Sequence, residues 1–101
     1  SLDFRYENIE IKNRFHGVKQ LIGRKTGSYQ AKIHVNGYFV IGYYNTETEA
    51  AIAYNKAIDI LKKAGVKKQY VPNYLESISP ALYADLYNTI SISKTILNYR
   101  P

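Results

Sequence analysis

The chain has 101 residues, 46% of them hydrophobic, which suits one domain with a small core. It has no cysteine, which excludes disulfides and thiolate chemistry, and no apolar run near the roughly 18 residues of a membrane span. Net charge is +6, and from Ile11 to Thr46 stand Lys12, Arg14, Lys19, Arg24, Lys25, Lys32 and both histidines without one acid, the footprint of a polyanion binder.

Residues 1–14 hold alternating apolar positions and read as an N-terminal extension, either an extra edge strand or part of an upstream unit. Residues 15–22, FHGVKQLI, read as a short strand in which Gly17 marks a bulge or a close backbone approach. GRKTG at 23–27 is a turn with Arg24 and Lys25 at its tip.

Residues 27–42, GSYQAKIHVNGYFVIG, read as a β-hairpin about Asn36-Gly37. A two-residue loop would mix apolar and charged residues on both faces. A three-residue loop, with Gly37 left-handed in a bulge, sets His34 opposite Tyr38 and Lys32 opposite Val40. Tyr29, Ala31, Ile33, Phe39, Ile41 and Tyr43 then share a core face, and Gln30, Lys32, His34, Tyr38 and Val40 the other. A one-residue slip exchanges the faces, so the segregating register is expected. The strand at 15–22 completes a three-stranded antiparallel sheet.

Thr46 followed by Glu49 is a capping box, and Gly65 a C-terminal stop, predicting a helix over 47–64. Ala50, Ala53, Tyr54, Ala57, Leu61 and Ala64 form its apolar stripe, with Asn55, Lys56, Asp59 and Lys62 opposite. Ile52 faces outward in this scheme. Residues 66–78 read as a connection whose Tyr70, Val71 and Tyr74 fold back onto the core. Ser79-Pro80 starts a second helix over about 80–90, carrying Leu82, Tyr83, Leu86 and Ile90.

Catalytic chemistry is not visible. His16 and His34 lack the companions of a metal site, the window GVKQLIGRKT fails the spacing of a P-loop, and no paired-carboxylate or nucleophile motif is present. The chain reads as a non-enzyme without cofactor or metal.

The segments FHGVK, GSYQAKIHV, YFVIGYYNTETEAAIAYNKAIDIL and PNY, within residues 15–74, resemble the DNA-binding domain of the APETALA-two/ethylene-response-factor family. The resemblance implies an α+β fold, a three-stranded antiparallel β-sheet packed on one long α-helix, with the sheet in the major groove of double-stranded DNA. Carried over by position, the family's first-strand arginines fall at His16 and Lys19, its second-strand contacts at Lys32 and His34, and its third-strand arginine and tryptophan at Tyr38 and Val40. Its aromatic opposite the helix falls at Tyr29. A further family arginine falls at Leu21, a departure, and the longer loop before Tyr29 offers Arg24 and Lys25 in its place.

DNA-binding residues are thus expected at His16, Lys19, Arg24, Lys25, Gln30, Lys32, His34, Tyr38 and Val40. Lys19, Arg24 and Lys25 read as phosphate contacts, and Tyr38 and Val40 also fit a simple cover for the sheet. Loss of most guanine-reading arginines points away from a GC-rich target. Lys62, Lys63, Lys67 and Lys68 are read as solvated or as touching flanking phosphate.

Residues 75–101 read as a C-terminal helical extension or linker. The setting is a transcription regulator or, given abundant Ile, Lys, Asn and Tyr with their AT-rich codons, a DNA-targeting protein of a low-GC bacterium, phage or mobile element. The corresponding location is the bacterial cytoplasm and nucleoid, or a eukaryotic nucleus. Alternatives are a recombinase arm-binding-type module, a double-stranded RNA binder and a protein-interaction module. No membrane or small-molecule partner is expected.

Overall fold

The hairpin adopts the register that segregates its residues. A computed structural model describes residues 15–101, so the readings placed on 1–14 lie outside the described residues. Strand β2 (Tyr29–His34) pairs antiparallel with β3 (Tyr38–Tyr44), His34 opposite Tyr38 and Lys32 opposite Val40. β1 (Val18–Gln20) joins the other side of β2, with Lys19 opposite Gln30, in the order β1-β2-β3.

Two details of the hairpin differ from expectation. Gly37 is not left-handed; the turn closes with the Val35 N–H donating to the Gly37 carbonyl at 2.9 Å. The bulge lies further along, where Lys32 faces Val40 and Ala31 faces Gly42, so that Ile41 is the extra residue on β3. One extra residue reverses the facing of every residue beyond it. Tyr44, not Tyr43, therefore sits with Tyr29 and is buried, while Tyr43 is exposed opposite Gln30. A Cβ on Gly42 would overlap the Tyr44 ring, whose hydroxyl donates to the Ser91 carbonyl at 2.6 Å.

Helix α1 (Glu47–Lys63) begins at the expected capping box: Thr46 Oγ1 accepts from the Glu49 N–H at 3.1 Å, and Glu49 Oε1 accepts from the Thr46 N–H at 3.1 Å. It ends where Gly65, at φ +105°, lets the Val66 N–H reach back to the Leu61 carbonyl. Ala50, Ala53 and Ala57 are fully buried, and these short side chains let the helix lie close along the inner sheet face of Val18, Ala31, Ile33 and Ile41.

Of the face of α1 expected to meet solvent, Asp59 and Lys62 are exposed, but the side carrying Ile52, Asn55 and Lys56 is a second packing face. Ile52 is completely buried and Asn55 nearly so, because the chain after Tyr70 returns across this side. Helix α2 (Pro80–Thr89), capped by Ser79 as predicted, docks through polar groups. The Lys56 ammonium donates to the carbonyls of Tyr87 (2.7 Å) and Ile90 (3.1 Å), the otherwise unpaired C-terminal carbonyls of α2. The Tyr87 hydroxyl donates to Asp59 at 2.6 Å. A short helix α3 (Lys94–Leu97), with no signal in the sequence reading, brings Ile96 into the same core as Ile90 and Ile92. Tyr70 packs on the core as expected, but Val71 and Tyr74 are exposed. Among the described residues no helix is long and apolar enough to cross a membrane.

Asn73 ties these parts together. Its side chain accepts from the His16 N–H (2.6 Å) and donates to the carbonyls of His16 (3.1 Å) and Ala51 (3.3 Å). Its backbone N–H donates to Asn55 Oδ1 (2.6 Å), and its carbonyl accepts from Asn55 Nδ2 (2.9 Å), which also donates to the Tyr83 hydroxyl. Both buried amides are fully engaged.

Two outcomes follow from this packing. Gly17 has φ +72°, and a Cβ there would overlap both the Tyr54 ring and the Lys32 carbonyl. Gly17→Ala is expected to destabilise the domain by more than about 2 kcal/mol in urea unfolding, combining left-handed strain with a backbone clash. Burial, with the Glu49 carboxylate adding to it, raises the Tyr44 phenol from 10.0 to about 12. The unfolded chain therefore loses this proton first, and the stability it carries is intact below pH 10 and lost as pH rises towards 12. Urea midpoints across this alkaline window should fall less steeply in Tyr44→Phe than in the parent.

Candidate nucleic-acid interface

Alternation along three strands builds one exposed face. Because opposite residues share a side, Lys19, Gln30 and Tyr43 form one rung, Lys32 and Val40 a second, and His34 and Tyr38 a third. From Gln30 to His34 is four residues, about 13 Å at roughly 3.3 Å each. The stretch 15–46 that builds the sheet contains no acid; Glu47 and Glu49 stand beyond it, in the first turn of α1.

Side chains on this face are held by one another. At one end Arg24 reaches from the β1–β2 turn and lies over the Tyr43 ring, its guanidinium carbon 4.5 Å from the centroid. Gln30 Nε2 donates to the Tyr43 hydroxyl at 3.3 Å. The turn is fixed to the hairpin by the Gly27 N–H, which donates to Asn45 Oδ1 at 2.7 Å. In the middle, the Lys32 ammonium lies 4.9 Å from the centroid of the Tyr38 ring. At the other end the His34 and Tyr38 rings meet edge to face, centroids 4.8 Å apart.

A contact from outside the sheet completes that end. The chain beyond Gly65 turns back, and the Lys68 ammonium donates to His34 Nδ1 at 2.7 Å and to the His34 carbonyl at 3.1 Å. The same carbonyl accepts from the Tyr70 hydroxyl at 2.7 Å.

Of the residues singled out from sequence, the structure brings Lys19, Gln30, Lys32, His34, Tyr38 and Val40 onto this face, and Arg24 joins them through Tyr43. Lys25 is exposed in the turn. His16 stands apart on the lead-in to β1: Asn73 clasps its backbone, and its ring lies 6.5 Å from that of Tyr54 on α1. Tyr43, expected on the core face, joins this face, and Lys68, read from sequence as solvated or as touching flanking phosphate, bonds His34 instead. Gly42 inside a strand was the available signal for the bulge that turns Tyr43 outward. Nothing in the sequence pairs Lys68 with a histidine 34 residues away. Among the described residues no group of three His, Cys, Asp or Glu side chains is placed to hold a metal ion.

No protein-family model, no curated protein and no solved structure matches the chain.

The platform beneath Arg24 is directly testable. Tyr43→Leu removes the ring but no buried contact, so the melting temperature should move by no more than about 4 °C, while the Arg24 Nε–H order parameter in NMR relaxation falls, held only by its 3.4 Å bond to the Thr26 carbonyl.

Proposed function

We propose that this domain binds double-stranded DNA sequence-specifically, laying the outer face of its sheet in the major groove as in the APETALA-two/ethylene-response-factor family it resembles. The observation that carries this reading is the acid-free face itself, where cations and hydrogen-bonding side chains from three strands and a turn stand in register. Its length along β2, about 13 Å, corresponds to roughly four base pairs, so the recognised core is short. A two-stranded ribbon or sheet is among the elements a major groove admits.

Roles divide by chemistry. Lys19, Arg24 and Lys25 position the domain on phosphates, while Gln30, Lys32, His34 and Tyr38 face the base edges. Val40 offers an apolar contact to thymine methyl groups, which favours a mixed or AT-richer site over a GC-only one. The biological setting is a transcription regulator or a DNA-targeting protein of a phage or mobile element.

Selection from a random duplex DNA pool at several salt concentrations, with duplex RNA as competitor, tests this reading. A shared short motif is expected, with a log–log salt slope of roughly −4 to −5 for four to six phosphate contacts, little competition from RNA, and loss of the motif in Lys32→Ala. A steep slope without a motif reduces the domain to a non-specific tether, equal competition by RNA moves it to duplex RNA, and a GC-only core overturns the base preference. No salt-linked binding would turn attention to a protein partner for the tyrosine-rich face.

A further inference from the structure

We infer that Lys68 is a positioning residue that fixes the tautomer of His34 and so makes His34 a hydrogen-bond donor that rejects cytosine. This inference rests on the DNA-binding reading of the sheet face.

A lysine ammonium has three donors and no acceptor. At 2.7 Å from His34 Nδ1 it can only donate, so Nδ1 is the accepting nitrogen. A neutral imidazole carries one proton, which must then sit on Nε2. Two further constraints hold the ring. The Lys68 ammonium is itself placed by its 3.1 Å bond to the His34 carbonyl, and the Tyr38 ring packs edge to face against the imidazole. Among the described residues Nε2 has no hydrogen-bond partner, and His34 is exposed at the end of the sheet. The groups around this histidine are Lys68 and Tyr70 from the connection, and Tyr38 with its stacked Lys32 from the sheet. None of them is an acid.

The consequence is chemical selectivity. In the major groove guanine presents N7 and O6, adenine N7, and thymine O4 as acceptors, whereas cytosine presents only its N4 donor. An Nε2–H facing cytosine would set donor against donor. An imidazole free to exchange tautomers would accept from cytosine N4 instead and lose this discrimination. Lys68 thus acts at a distance from the base, through the far side of the ring, as an outer partner fixes the tautomer of a metal-bound histidine.

The lock is tested first without DNA. In nitrogen-15 NMR of the free domain, His34 should show a protonated Nε2 and an unprotonated Nδ1; Lys68→Met should give an averaged tautomer, and Lys68→Arg, another pure donor, should restore the pattern. A mixed tautomer in the parent overturns the inference. The readout is then tested by duplex selection. The parent should exclude cytosine at one position by roughly five- to tenfold. Lys68→Met and His34→Ala should each lose that exclusion at the same position, with the salt slope unchanged in Lys68→Met and the exclusion regained in Lys68→Arg. Tyr70→Phe, which removes a bond to the same carbonyl but not to the ring, should keep it. If Lys68→Met instead weakens all sequences equally and flattens the slope by about 0.9, Lys68 is a phosphate contact and the inference fails while DNA binding stands. If the parent selects no motif, both fail together.

Discussion

The domain is closed by one side chain. The Asn73 side chain satisfies the backbone N–H and carbonyl of His16 as though it were a neighbouring strand and bonds the Ala51 carbonyl, while the Asn73 backbone exchanges two bonds with the Asn55 side chain. It thereby joins the entry to β1, the middle of α1 and the returning connection at one buried point. A hydrophobic residue of equal size would leave the His16 N–H and carbonyl without this partner and take the side-chain bond from the Ala51 carbonyl, each unpaired group costing about 1–3 kcal/mol of desolvation if sealed from water. The two asparagines act in series: the Asn55 side chain holds the Asn73 backbone, and the Asn73 side chain holds His16.

Around that point the helix serves two layers. Its alanine side allows close approach to the sheet, and its polar side receives α2 through Lys56, Asp59 and Asn55. The Lys56 contact illustrates how a charge is accommodated inside a small domain. The ammonium ends the hydrogen-bond ladder of α2, meets the negative end of its dipole and lies 5.4 Å from the centroid of the Tyr87 ring, so the cation is compensated without a carboxylate bond. The sheet's outer face is left free of core duties, and its side chains order one another by stacking.

Legibility in the sequence followed the reach of each signal. The register about His34 and Tyr38, the Thr46–Glu49 box and the Ser79-Pro80 start were readable, because each is decided within a few residues by alternation or by a cap. The bulge at Ile41 was not: Gly42-Tyr43-Tyr44 offers two aromatic residues of equal hydrophobicity, and only the space beneath Gly42 decides which turns inward. The docking of Asn55 and Lys56 on the polar face of α1 is not legible because amphipathicity reports polarity, and a polar face docks as well as it dissolves when its partners are carbonyls and phenols. Asn73 and Lys68 were invisible as partners, since their contacts span 57 and 34 residues. The four-residue α3 is too short for any periodic pattern to declare itself.

The route taken by the end of the chain also governs how the sheet meets other sheets. Beside the bulge, the Ser93 N–H donates to the Ile41 carbonyl at 2.9 Å and its hydroxyl to the Val40 carbonyl at 2.9 Å, while Tyr44 reaches Ser91. These bonds occupy acceptors that an incoming strand would need. Among the described residues the opposite edge is β1, only three residues long. A long unpaired edge is the usual template for strand-by-strand polymerisation, and a short or occupied one is the usual safeguard. The last dozen residues therefore act as a selvedge: they finish the woven border of the sheet, and a chain lacking them would present seven-residue β3 as an open seam.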